Sequence, residues 1–186
     1  PTSGDIIAMT SMPNFSQDKY WEYDESLYKN PFITNTYEPG STIKPIIMAS
    51  AIDAGLITPQ TKCNICAGPV SVSGYELHTW NDKYYKDTNM IDVIQHSDNM
   101  GMVFVAKKLG ADRMIAYLTR FGIGEMTGID LQGETASALK PRSAWYAVDL
   151  ATTGFGQGIS VTPIELLTAF SVLANGGKLI QPKVVT

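Results

Sequence analysis

The stretch "YEPGSTIKPIIMASAIDAG" at positions 37–55 constrains the fold most, because it reads as a helix that has to be enclosed on most sides. Its start lies near Gly40–Ser41. Pro45 lacks an N–H and is tolerated only where a helix begins and its backbone donors have no carbonyl partners. Beyond it Ile46, Ile47, Ala49, Ser50, Ala51 and Ala54 are small or apolar, and Gly55 is a natural C-terminal stop. A helix apolar around most of its circumference is covered by other elements. Lys44 does not suit that setting, since a lysine at the head of a buried helix is costly unless it has a partner or a task. Ser41, three residues earlier, shares its face at roughly 5–6 Å between Cβ atoms if the segment is helical. Ser-x-x-Lys alone is weak, because Ser is a common N-cap and Lys is ordinary on an exposed helix face. Burial turns the spacing into a chemical question.

The rest of the chain predicts a helix-rich α/β or α+β domain. "DIIAMTS" (5–11) reads as a buried strand, and residues 12–36 as mostly loop. "PVSVSGYELHTWND" (69–82) alternates around Gly74 and predicts a small hairpin. Residues 89–97 predict a short helix capped by Asn89 or Thr88. Two helical patterns follow, 100–109 ended by Gly110 and 112–121 ended by Gly122, the second capped by Asp112. "SVTPIELLTAFSVLANGG" carries the fullest punctuation: Thr162 as N-cap, Pro163 at the first helical position, Glu165 at the capping-box site and Gly176 as the stop. No repeat or low-complexity linker marks an internal boundary, and much of the expected sheet is not visible in the pattern.

Composition removes several functions. Fourteen basic against eighteen acidic residues give a net charge of −4 without a Lys/Arg cluster, so nucleic acid is not an expected partner. No run approaches the ~20 apolar residues of a membrane helix, and the first residues lack the features of a signal peptide. Both cysteines lie in "KCNICAG", as Cys63 and Cys66. Zinc would need two more ligands, with only His78 and His96 on offer and no second close pair. A thioredoxin-type redox pair would need a βαβ context that this loop-like segment does not offer. Two incidental thiols or a local disulfide remain.

Set beside "SDN" at 97–99, Ser41-x-x-Lys44 matches two of the three motifs of the serine acyl enzymes that react with penicillin, namely Ser-x-x-Lys, Ser-x-Asn and Lys-Ser/Thr-Gly. "TSGDIIAMTSMPNF", "NPFITNTYEPGSTIKP", "VSGYELHTWND", "TGIDLQGE" and "GFGQGISVTPIELLTAFSVLANGG" resemble, in order, corresponding segments of class B penicillin-binding proteins. The resemblance implies a β-lactamase/transpeptidase-like α/β (α+β) fold, an antiparallel sheet flanked by helices plus an all-helical subdomain. It also implies a peptidoglycan D-alanyl-D-alanine transpeptidase acting on the extracytoplasmic face of the bacterial membrane. Its partners would be stem peptides ending in D-Ala-D-Ala, β-lactams and other cell-wall synthesis proteins. Ser41 would be the nucleophile and Lys44 the base that accepts its proton, since a serine hydroxyl is a poor nucleophile until a neighbour takes that proton. A lysine can do so if its pKa is lowered to about 7–8. Ser97 would relay a proton to the leaving amine, and Asn99 would hold a substrate amide. Asp98, at the variable middle position, receives no role. No metal or organic cofactor is implied, because proton transfer and an oxyanion site suffice for acyl transfer.

The chain departs from the family in one respect. None of Lys107, Lys108, Lys140, Lys178 and Lys183 is followed by Ser or Thr and then Gly, so the third motif is absent. Residues 1–186 are therefore read as the N-terminal and central portion of a transpeptidase domain without its C-terminal strands, anchor or preceding domain. Such a polypeptide alone is expected to acylate poorly, because losing one oxyanion donor typically costs ~10²–10³ in rate. Three other readings compete. A serine β-lactamase would want Glu134 as deacylation base, but "LQGETAS" resembles a Leu-x-Gly-Glu turn instead. A penicillin-recognising sensor or structural cell-wall module could share the fold without the reaction. A Ser97–His96 couple is disfavoured, because neighbours in sequence rarely turn their side chains toward one another.

Overall fold

The computed structural model describes residues 1–184. In chain order its elements are α1 (Pro31–Thr34), α2 (Lys44–Asp53), β1 (Val70–Val72), β2 (Tyr75–Leu77), α3 (Met90–Gln95), α4 (Asn99–Leu109), α5 (Ala111–Arg120), α6 (Ala147–Thr153) and α7 (Pro163–Ala174). Short 3₁₀ segments occupy Gln17–Glu22, which is kinked at Lys19, Glu25–Tyr28, Gly40–Ile43 and Arg142–Ala144. These elements gather into two compact units, one of residues 1–37, 121–138 and the chain from Val161 onward, the other of residues 38–120 and 139–160. Both are assembled from non-consecutive segments. That is why no linker composition marks a boundary.

In the 38–120/139–160 unit, α4 is the central element. Met100, Met102, Val103, Phe104, Val105, Ala106 and Leu109 are all buried, so the helix is apolar on every side as far as Ala106 and is packed against α2, α3, α5 and α6. Gly101 permits the closest approach, since a Cβ there would lie 2.2 Å from a Val93 methyl of α3. The α2 helix is enclosed as its composition predicts, with Ile46, Ile47, Met48, Ser50 and Ala51 buried. Its start is not a single helical run, however: a 3₁₀ turn over Gly40–Ile43 precedes the α-helix, which begins at Lys44 with Pro45 in its first turn. β1 and β2 form the predicted hairpin, pairing Val70 with Leu77 and Val72 with Tyr75. Its two-residue turn, Ser73 and Gly74, has both φ angles positive, as the right-handed strand twist demands of so tight a connection.

In the other unit Ile33, Ile129 and Ile164 form a core joined by Ile6, Met9, Phe32 and Leu131. Thr162 and Glu165 form the expected capping box at the head of α7. Glu165 is fully buried (0% exposed) and goes further, accepting from the Thr162 N–H, the Gly124 N–H and both the N–H and hydroxyl of Ser137. A buried carboxylate is tolerated only with such a set of donors.

Two expectations need correction. The 5–11 segment is not a buried strand. Asp5 makes one parallel bridge to Lys183, while Ile7 is 97% exposed. An apolar run becomes a strand only where a neighbour runs along it, and among the described residues this one makes a single strand-type bridge. Asp112 does not cap α5. It lies inside the first turn and pairs with Arg142. The sheet is limited, among the described residues, to the hairpin and isolated bridges. The α6 helix was not visible in the pattern; at its start the Tyr146 N–H donates to the Asp149 carboxylate at 2.9 Å.

Candidate active site

Ser41, Lys44, Ser97 and Asn99 all lie in the 38–120/139–160 unit. Ser41 sits on the 3₁₀ turn that opens α2, preceded by Gly40 at φ +54°. That turn is fastened from behind by the "GFGQG" segment. The Gly40 N–H donates to the Gly156 carbonyl at 2.9 Å, and the Gly158 N–H donates to Glu38 at 2.8 Å. Gly156 has φ +84°, and a Cβ there would stand 2.0 Å from the Gly40 carbonyl oxygen. Gly156→Ala is therefore expected to cost at least ~2 kcal/mol and to displace the Ser41 turn. A lowered Tm together with slower acylation by a fluorescent penicillin would show both effects.

Lys44, on the next turn, is only 2% exposed. Its amine donates to the Ser97 carbonyl at 2.6 Å, to Ser97 Oγ at 3.0 Å and to Asn99 Oδ1 at 2.7 Å. An ammonium has three donors and no acceptor, so these three oxygens saturate it. The Ser41 hydroxyl is exposed and makes no hydrogen bond among the described residues. The structure thus brings Lys44, Ser97 and Asn99 together, with Ser41 one turn away and not bonded to the amine. Burial holds the Lys44 pKa down at about 8, against an ordinary 10.5, while the negative charge of Asp98 works in the opposite direction. A neutral amine keeps two donors and gains a lone pair. Of its three partners only Ser97 Oγ can turn from acceptor to donor.

The 97–99 loop takes its shape from the end of α3. The Asp98 N–H donates to the Val93 carbonyl and the Ser97 N–H to the Ile94 carbonyl, the paired closure of a helix whose next residue is left-handed. Glycine usually fills that left-handed position, yet Ser97 occupies it at φ +52°. A non-glycine residue there stores about 1–2 kcal/mol of backbone strain, which marks a side chain held in place for a reason. The turn aims both the carbonyl and the hydroxyl of Ser97 at Lys44. Asn99 faces its Oδ1 to the amine, as only an acceptor can, and its Nδ2 donates at 3.3 Å to the His78 carbonyl just after β2. Asn99 thereby orients the lysine in addition to the amide-holding part expected of it.

Other candidates fall away or change. His96 follows α3 with its ring stacked on Tyr85 at 4.3 Å and makes no hydrogen bond to Ser97 among the described residues. Cys63 and Cys66 are joined to each other in a disulfide, so neither is a thiolate available to zinc. Glu134 gives both carboxylate oxygens to the 127–128 turn, accepting from the N–H and hydroxyl of Thr127 and from the Gly128 N–H, the structural use its Leu-x-Gly-Glu context suggested. Sequence reasoning missed Asp98. Its carboxylate caps α4 at the Met100 N–H, and its position before an apolar helical run was the readable signal. It also missed Gly156, for which no local signal exists.

Residues 1–186 match the family model described as "Penicillin binding protein transpeptidase domain". Stage V sporulation protein D of Bacillus subtilis is 38% identical over 98% of this chain and 28% of its own length. Peptidoglycan D,D-transpeptidase MrdA of Salmonella typhimurium is 35% identical over 98% of this chain and 33% of its own length. The chain thus spans about a third or less of these curated relatives. Among solved structures, Pseudomonas aeruginosa PBP2 in complex with WCK 5153 superimposes with a TM-score of 0.86 at 29% identity, over 98% of this chain and 47% of that one.

Proposed function

The chain belongs to the penicillin-binding protein transpeptidase family, and we propose that it supplies the acylating residues of a peptidoglycan D,D-transpeptidase. The observation that carries this reading is the Lys44 amine, buried and held by Ser97 and Asn99 on the turn after an exposed serine. Lys44, when neutral, takes the Ser41 proton as Oγ forms its bond to the carbonyl carbon of the penultimate D-Ala. The C–N bond to the terminal D-Ala then breaks, and Ser97 hands the proton on to the departing amine. The ester left on Ser41 is resolved by an acceptor amine from a second stem peptide, which forms the cross-link and restores the hydroxyl. A β-lactam follows the same first half, but its leaving nitrogen stays tethered to the acyl group. The Cys63–Cys66 disulfide suits an oxidising compartment and thus a site of action outside the cytoplasmic membrane.

The test uses the full-length polypeptide that carries this chain, given a donor stem peptide ending in D-Ala-D-Ala and an acceptor amine. The expected result is a cross-linked product with one D-Ala released per cross-link, and a penicillin adduct that hydrolyses slowly. Rapid penicillin turnover would make the protein a β-lactamase instead. A stable adduct without any strand transfer would make it a sensor.

A further inference from the structure

Between Ser97 and Asn99 lies a residue to which the reaction assigns nothing, and its environment is unusual. Asp98 is 3% exposed. Its Oδ1 accepts from the Met100 N–H at 2.8 Å, while Oδ2 is buried and has no hydrogen-bond partner among the described residues. A cap needs only one acceptor, and Ser, Thr or Asn would serve α4 without placing a charge in the interior. An uncompensated buried carboxylate oxygen is costly unless a neighbouring charge offsets it. That neighbour is the Lys44 amine, itself bonded to the residues on either side of Asp98.

We infer that Asp98 is a positioning residue for Lys44: its cap on α4 holds the strained Ser97 turn in register, and its buried charge sets how readily the Lys44 amine carries a proton. The inference rests on the reading of Lys44 as the base. Burial raises the Asp98 pKa, opposed by the N–H groups of Met100 and Gly101 and by the charges of Lys44 and His96. Of the charges on the elements packed around α4, Asp92 is taken up by the Asn89 N–H at the head of α3, Asp149 by Lys140, and Asp53 by the Tyr117 hydroxyl. Asp112 is paired with Arg142, Arg120 lies over Tyr117, Arg113 is exposed on the first turn of α5, and Lys107 and Lys108 lie in the last turn of α4. The negative charge of Asp98 raises the Lys44 pKa against the lowering by burial.

The consequence has a definite sign. A negative charge beside an amine favours its protonated form, so removing that charge lets the amine deprotonate at lower pH. The test is the pH dependence of the second-order acylation rate by a fluorescent penicillin, measured on the full-length polypeptide as wild type, Asp98→Asn and Asp98→Ser. Both substitutions keep an N-cap acceptor without the charge. The wild-type rate should climb to a plateau with a midpoint near the Lys44 value of about 8. Both variants should show that midpoint lower by about 1 pH unit. A purely structural cap would lower the plateau or the Tm and leave the midpoint where it was, and that result overturns the assignment. A wild-type profile with no such limb removes Lys44 from the base role and takes this inference with it. The two failures are therefore told apart by the wild-type curve.

Discussion

Ser41→Ala abolishes the penicillin adduct and leaves the fold untouched. Intact-mass spectrometry of the protein after incubation with a reactive penicillin should show the adduct in the wild type and none in the variant. The acylation rate should fall by a factor on the order of 10⁴–10⁶, as when a nucleophile acting as part of a unit is removed. Stability should stay within about 0.5 kcal/mol, because the Ser41 side chain is exposed and makes no hydrogen bond that alanine would lose. The backbone of the turn does not depend on the side chain either: the Gly40 N–H is bound to Gly156, and the Lys44 N–H closes onto the Ser41 carbonyl. An adduct persisting in Ser41→Ala, above all one mapped to Ser97, would transfer the nucleophile to the left-handed turn and undo the assignment of both serines.

What could be read from the sequence divides along a physical line. Elements specified by their own residues were legible. The Thr162/Glu165 box, the hairpin turn at Gly74, the cap at Asn89 and the stop at Gly110 each depend on chemistry within a few positions. Elements specified by distant partners were not. The 5–11 run has the composition of a strand but, among the described residues, only one β-bridge, to Lys183, and strand formation is decided by the neighbour. The same division holds at the site. Ser41 and Lys44 stand out together because one helical turn joins them, and the Ser97–Asn99 motif gains meaning once set beside them. The meeting of Lys44 with that loop spans more than fifty positions and is created by α2 and α4 packing together. Gly156 backing Gly40 across more than a hundred positions leaves no local trace. Asp98 shows the limit most sharply: its role as a cap is local and readable, whereas its burial beside an amine depends on the packing of α4 against α2.

Lys44→Met should separate the chemistry of the amine from its cost to the fold. Acylation should fall by about 10²–10⁴, the usual contribution of a positioned proton acceptor. The pH dependence of stability should change with a predictable sign. In the folded chain the Lys44 pKa lies at about 8 because burial penalises the ammonium, while in the unfolded chain it returns to 10.5. Below about 8 both states hold the proton, and the folded state bears the full penalty. Between about 8 and 10.5 the unfolded state binds more protons than the folded one, so wild-type stability rises with pH across that window. Above it both states are neutral and the penalty is gone. At 1.36 kcal/mol per pH unit, an interval of about 2.5 units corresponds to about 3 kcal/mol. Other groups also titrate in this range, so the measured quantity is the difference in unfolding free energy between wild type and Lys44→Met, followed by urea denaturation from pH 7 to pH 11. That difference should move in favour of the wild type by about 3 kcal/mol. The wild-type acylation rate should in turn rise about tenfold per pH unit below the same value, since only the neutral amine can take the Ser41 proton. A stability difference that does not vary with pH would mean that the amine keeps a solvent-like pKa despite its burial. Ser41 would then need another base, and the three oxygens around Lys44 would be no more than an anchor for the 97–99 loop.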